Sequence, residues 1–333
     1  MPGSDDTAPR ADLDGARLIA SPALRLAALM LLIYTALIAL FGPIPATQAT
    51  LNGLVSGTYL GLGAIGLTLV FGILHLVNFA QGDLLMAGAY ATILTAGIGV
   101  PPPLAALAGV VATALLALVT EKLVWRPLRR SGAGTLQVFL TAIGLAMVIR
   151  FSVQFVAGSQ VRSLGADVVS TVGLGGLRLG LMQVLALVIG LVVMAGVGLM
   201  LRLTRLGKSM RAFSDNAALA EVSGIDTGRI VDLTWLVSGS LAGVAGILYA
   251  AAIGTINPNF GVTLLLSLFA AAVLGGIGNA YGALAGGLVI GLAQDWSTLF
   301  VNARWKPAVG FAILIVTLLF MPQGIFGQAR RRS

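Results

Sequence analysis

The sequence predicts an all-α fold, a polytopic membrane helix bundle of eight to ten transmembrane helices. Two observations lead there. Of 333 residues, 58% are hydrophobic and only 10% charged, whereas soluble domains carry about 25% charged residues. So little charge cannot cover a water-facing surface. The apolar residues also lie in runs long enough to span as helices, which need roughly 20 residues each, and not in the short alternating segments of a barrel. A third feature, a faint internal echo, points to an inverted repeat.

The apolar runs fall at about 26–41, 51–74, 84–100, 103–120, 136–157, 181–201, 233–254, 264–278, 281–300 and 307–321. Three of them are short enough to be re-entrant. Residues 1–25 are polar and acidic, with Asp5, Asp6, Asp12 and Asp14, and read as a disordered tail before a retained first helix. Pro101, Pro102 and Pro103 break the ladder between two runs. One membrane domain is expected over 26–328, with a polar segment at 202–232 and a basic tail at 329–333.

Lys and Arg in short loops set orientation. Counting ten spans, one side holds Lys122, Arg126, Arg129, Arg130, Arg205, Lys208, Arg211, Arg229 and the tail Arg330, Arg331 and Arg332. The other holds Arg162, Arg178, Arg304 and Lys306. The excess places both termini and 202–232 in the cytoplasm of a chain in the cytoplasmic membrane.

Glycine is abundant at 44 residues. Small-xxx-small pairs recur at Gly57 and Gly61, Gly239 and Gly243, Gly282 and Gly286, and Gly287 and Gly291, the spacing that lets membrane helices approach closely. The echo is Leu54-Val55-Ser56-Gly57-Thr58 against Leu236-Val237-Ser238-Gly239-Ser240. Polar breaks come after both, Asn78-Phe79-Ala80-Gln81-Gly82 and Asn257-Pro258-Asn259-Phe260-Gly261. Five spans separate the copies, and an odd number inverts the second. Inverted repeats with broken helices point to a transport pathway at the breaks.

Polar groups at membrane depth are costly and default to functional candidates. Asn78, Gln81, Asp83, Asn257 and Asn259 are therefore candidates for a substrate pathway, with helix capping as the competing role. Asp295 can pair with Arg304 or Lys306.

Several chemistries are excluded. Gly207-Lys208-Ser209 resembles the end of a phosphate loop, but that motif needs glycine where Arg202 stands, and a strand before it. The chain is thus expected to bind no ATP. With no cysteine and one histidine, His75, neither a disulfide framework, a metal cluster nor a hydrolytic triad is expected. No ring-forming charged motif suggests a selective channel. The chain reads as no enzyme.

The segment 202–232 is the longest polar interruption. Met210, Phe213, Ala217, Ala220 and Gly224 recur at helical spacing, predicting one amphipathic helix over 207–224 with Gly224 as its cap. Its run Arg211-Ala212-Phe213-Ser214-Asp215-Asn216-Ala217-Ala218-Leu219-Ala220-Glu221-Val222-Ser223-Gly224-Ile225-Asp226 resembles the cytoplasmic coupling loop of branched-chain amino acid ABC transporter permeases. Asn78-Phe79-Ala80-Gln81-Gly82-Asp83, Ile256-Asn257-Pro258, Gly275-Gly276-Ile277-Gly278 and Met321-Pro322-Gln323-Gly324-Ile325-Phe326-Gly327 resemble the same family in the same order. Two positions depart from it: the family usually has histidine and glutamate where this chain has Gln81 and Asp83.

The resemblance, closest to the H-type subunit of the paired permeases, covers about residues 50–328. It implies an importer in which this chain pairs with a second homologous permease. Two cytoplasmic ATPase subunits, which bind the ATP, would dock on Arg211, Ser214, Asn216, Ala217, Glu221 and Gly224. An extracytoplasmic substrate-binding protein would deliver branched-chain or related amino acids. Relatives that carry urea or short amides, or a stand-alone secondary transporter built on the repeat, are the alternatives.

Overall fold

A computed structural model describes residues 22–164 and 170–327. The acidic stretch 1–21 and the tail 329–333, with Arg330, Arg331 and Arg332, lie outside the described residues. Residues 22–25, read from sequence as tail, are instead the start of the first helix.

Each apolar run becomes a helix. In chain order these are α1 (Pro22–Phe41), α2 (Pro43–Leu74), α3 (Gln81–Gly97), α4 (Pro102–Thr120), a π-helical turn (Glu121–Trp125), α5 (Arg126–Arg130) and α6 (Thr135–Ala157). They continue as α7 (Leu181–Leu203), α8 (Arg205–Asp215), α9 (Ala217–Val222), α10 (Thr227–Ile253), α11 (Phe260–Gly275), α12 (Ala280–Ser297) and α13 (Lys306–Phe320). Seven helical stretches among the described residues are long and apolar enough to cross a membrane. Three apolar helices fall short, α3, α11 and α12, and their core residues are buried; of the three short sequence runs only 264–278 is among them, whereas 26–41 and 307–321 lie in stretches long enough to span. The protein is a multi-pass membrane protein.

The chain divides into two compact units between Thr47 and Gln48. In the first, α1 exposes Leu29, Leu31, Leu32 and Leu40, and Tyr34 and Thr47 share a hydroxyl hydrogen bond of 3.0 Å. The second unit holds both candidate sites.

Its helices pack reciprocally. Gly57 of α2 lies so close to α12 that a Cβ would sit 2.8 Å from the Leu288 Cα, and one on Gly53 2.8 Å from the Leu292 Cα. Gly239 of α10, the repeat's counterpart of Gly57, lies so close to α4 that a Cβ would sit 2.9 Å from the Ala114 Cα. Thus α2 of the first copy seats on α12 of the second, and α10 of the second on α4 of the first. Such an exchange is what a two-fold relation produces.

The two polar breaks adopt one local structure. Asn78 Oδ1 accepts from Ala80 N at 3.1 Å and Asn78 O from Gln81 N at 3.2 Å; Asn257 Oδ1 accepts from Asn259 N at 2.9 Å and Asn257 O from Phe260 N at 3.1 Å. Each turn starts a helix, α3 or α11, and these starts touch: a Cβ on Gly82 or on Gly261 would collide with the other's carbonyl. Helix rise puts that contact about 21 Å along α11 from its carboxyl end at Gly275.

The remaining polar segments sort to two ends. At one end Gly72 of α2 lies against Gly278, and Gly276 against Gly327; Arg126 pairs with Asp232, and Ile325 N donates to Leu274 O at 2.8 Å. At the other, Gln48 exchanges two hydrogen bonds with the Arg178 backbone, 2.8 and 2.9 Å. There Arg162–Ser163 pairs antiparallel with Thr255–Ile256. Lys306 Nζ meets Asp295 Oδ1 at 2.7 Å, one of the two partners expected for that carboxylate.

Candidate functional site

The first candidate site is the pair of breaks. Asn78, Gln81 and Asp83 are 1%, 0% and 1% exposed and form one cluster. Asn78 Nδ2 donates to Gln81 Oε1 at 3.3 Å. Asp83 stands in the first turn of α3, where the helix dipole favours a carboxylate. It accepts from Arg150 of α6 on both oxygens, at 2.8 and 3.0 Å. Gln81 Nε2 has no hydrogen-bond partner among the described residues. It points at Gly66, whose Cβ would sit 2.7 Å from it, and Gly66 O accepts from Ser238 Oγ at 2.8 Å.

Asn257 and Asn259 are exposed and belong to the second break. The Gly82–Gly261 contact thus sets all five predicted residues around one junction, three inside the chain and two on its surface. The competing structural role is visible at Asn78 and Asn257 as Asx turns that lead into the helices; the capping positions themselves are Ala80 and Asn259, with no side-chain cap bond.

Sequence reading missed Arg150. It lies inside an apolar run, and a lone arginine there demands an acidic partner; that need was the available signal, and the structure supplies Asp83. It also missed Glu121. This residue is 0% exposed, and Arg129 and Arg126 pair with it. Trp125 beside it stacks on Trp235 of α10, centroids 6.1 Å apart. Both belong to the π-helical turn and, four residues apart, lie on its buried side.

The second candidate site is 202–232. One helix was expected over 207–224; the structure has two, α8 and α9, parted at Asn216 (φ −158°, ψ 102°). The reason is local. Ser214, Asp215 and Asn216 carry short polar side chains that bond the backbone outside a helix. Asn216 Oδ1 accepts from Leu219 N at 2.9 Å and so starts α9. Gly224 ends it as expected, at φ +83°. Its N–H donates to Glu221 O at 2.9 Å and that of Ile225 to Ala220 O at 3.0 Å, the two bonds of a Schellman motif.

The six predicted coupling residues share this surface in different ways. Arg211 donates to the Leu201 carbonyl, tying α8 to the end of α7. Ser214 Oγ donates to Gly72 O of α2 at 2.6 Å. Asn216, Ala217, Glu221 and Gly224 are exposed. Ala217, Glu221 and Phe213 line a cavity of about 620 Å³ with Ile73, Glu121 and Arg129. Gly207, which suggested a phosphate loop, is a packing glycine: its N–H donates to Thr204 Oγ1 at 3.2 Å, and a Cβ would collide with Leu201.

Residues 49–318 match the family described as branched-chain amino acid transport system / permease component. The high-affinity branched-chain amino acid transport system permease protein BraD of Pseudomonas aeruginosa is 34% identical over 295 residues, 84% of this chain and 95% of its own. LivH of Escherichia coli, with the same description, is 33% identical over 296 residues, 84% and 95%. Among solved structures, PsaBC from Streptococcus pneumoniae in complex with Fab aligns at TM-score 0.49 and 11% identity, covering 88% of this chain and 97% of that one. Matched along most of its length, the chain belongs to the branched-chain amino acid transport system permease family.

Proposed function

We propose that this chain is one of two paired permease subunits of an ATP-driven importer of the ABC type, carrying branched-chain or related amino acids. The observation that carries the reading is the short-helix pair α8–α9. It stands at the end of the second unit that holds Lys122, Arg126, Arg129, Arg130, Arg205, Lys208, Arg211 and Arg229, which the positive-inside rule makes cytoplasmic. Both termini face the cytoplasm in this reading. Two ATPase subunits, which bind the ATP, dock on α8 and α9, and a binding protein delivers substrate to the opposite end.

The pathway passes the junction of the two breaks. Asn257 and Asn259 face outward from the chain, where a second permease would complete the path. Asn78, Gln81 and Asp83 lie behind them and come into play when α3 and α11 part. ATP turnover moves the helices only if the ATPases bind two permease states with different affinity.

Uptake into vesicles holding both permeases and the ATPases tests this. Leucine, isoleucine or valine is expected to accumulate only with internal ATP and the binding protein. Uptake that tracks an ion gradient without ATP, or a wild-type permease that co-purifies with no ATPase, overturns it. Calorimetry on the binding protein identifies which ligand it holds.

A further inference from the structure

We infer that Ser214 is the positioning residue through which movement of α8–α9 reaches the link 75–80 between α2 and α3, which leads into the first break; the inference rests on the importer reading. Gly72 lies in the last turn of α2, where helix carbonyls have no partner within the helix. Ser214 Oγ supplies that partner at 2.6 Å. It is a tether across 142 positions of sequence, from the coupling segment to α2. The other side of Gly72 rests on the Gly278 backbone. The end of α2 is thus held between α8 and the α11–α12 turn.

Beyond Gly72 the chain is built to turn. His75 is the one non-glycine with positive φ among the described residues, at 51°. A left-handed conformation costs a residue with a Cβ roughly 1–2 kcal/mol, and such strain gathers at switches and hinges. From His75 the chain enters the break, whose Asn78 and Gln81 start α3 against Gly261. A pull on Ser214 therefore acts on α2 one turn before a strained residue, and from there on the junction in the membrane. Arg211, one turn earlier on α8, binds Leu201 of α7, so α8 moves with α7 while Ser214 carries that motion to α2.

The chain has no cysteine, so a single reporter can be placed without altering a background. Val77→Cys puts a thiol in the break. Its maleimide labelling rate is measured in the complete complex of permeases, ATPases and binding protein, with and without ATP and vanadate. In the otherwise unchanged chain the rate is expected to differ between the two conditions. With Ser214→Ala that difference falls about fivefold, the population change that one lost hydrogen bond produces, while ATPases stay bound. With Ser214→Thr, which keeps the hydroxyl, it returns.

An undiminished difference in Ser214→Ala overturns the inference, as does no difference in the otherwise unchanged chain or a failure of Ser214→Thr to restore it. Loss of ATPases from Ser214→Ala alone also overturns it, because it makes the residue a docking contact. Absence of ATPases from the wild-type complex overturns the importer reading itself.

Discussion

Arg150 Nε donates to Asp83 Oδ1 at 2.8 Å and its Nη2 to Oδ2 at 3.0 Å, so a buried carboxylate at the start of α3 is gripped by a guanidinium from the middle of α6. Removing one partner leaves an uncompensated charge, at a cost of about 3–5 kcal/mol. Arg150→Met is expected to lower thermal stability in detergent by that amount. The double variant Asp83→Asn with Arg150→Met recovers most of it. A melting series over the four chains checks the coupling; additive losses would refute it.

The Gly82–Gly261 contact leaves no space for a methyl group. Gly82→Ala forces α3 from α11, and overpacking costs roughly 1–3 kcal/mol or more. Uptake is expected to fall severely. Gly144→Ala on the exposed side of α6, where a Cβ meets nothing within 4 Å, is expected to leave uptake and melting within error of wild type. Equal behaviour of the two would remove the significance of the junction.

His75 holds φ 51°. A β-branched side chain fits that region worst, and glycine fits it without strain. His75→Val is expected to be about 1–2 kcal/mol less stable than His75→Gly. Thermal unfolding of the pair in one detergent gives the difference.

Gly224 ends α9 at φ +83° with nothing within 4 Å of a Cβ, so substitution there acts through backbone strain alone. Gly224→Pro also removes the N–H that bonds Glu221 O. The variant is expected to insert normally and to lose ATP-driven uptake. Glu221→Arg, on the exposed face of α9, is expected to do the same through charge. Normal uptake in both, measured beside membrane content, would dismiss α9 as the docking element.

Asn78→Leu deletes the turn bond from Ala80 N and the bond to Gln81, each about 1 kcal/mol. In the pathway reading, uptake falls while ATPase retention holds. Asn257→Ala deletes the matching turn bond of the second break. If both lose stability and neither loses uptake per folded complex, these residues only shape the turns.

Helices and their order were legible because each apolar run is long and bounded by glycine, proline or charge. The repeat was legible at Leu54–Thr58 and Leu236–Ser240, yet its reciprocal seating was not: nothing in Gly57 names Leu288 as the residue it meets. The break at Asn216 was missed because helical spacing of Met210, Phe213 and Ala217 passes straight through it; the cue was three cap-forming residues in a row. Arg150 was missed by counting charge only in loops. Glu121 was not singled out because it stands beside Lys122 at the edge of a charged stretch, and the π-helical turn that holds it has no periodic signature.

The exchanged seating of the two copies also bears on how the chain is made. The glycine face of α2 has its partner on α12, about 230 residues later. At roughly 5–20 residues per second of synthesis, that face waits about 10–50 s for Leu288 and Leu292 to leave the ribosome. During that interval α2 and α4 stand in lipid with their narrow faces open to any small-residue helix nearby. The nascent first half is therefore the species most open to mispairing, and translation pausing before α10 would be the condition under which mispaired chains accumulate.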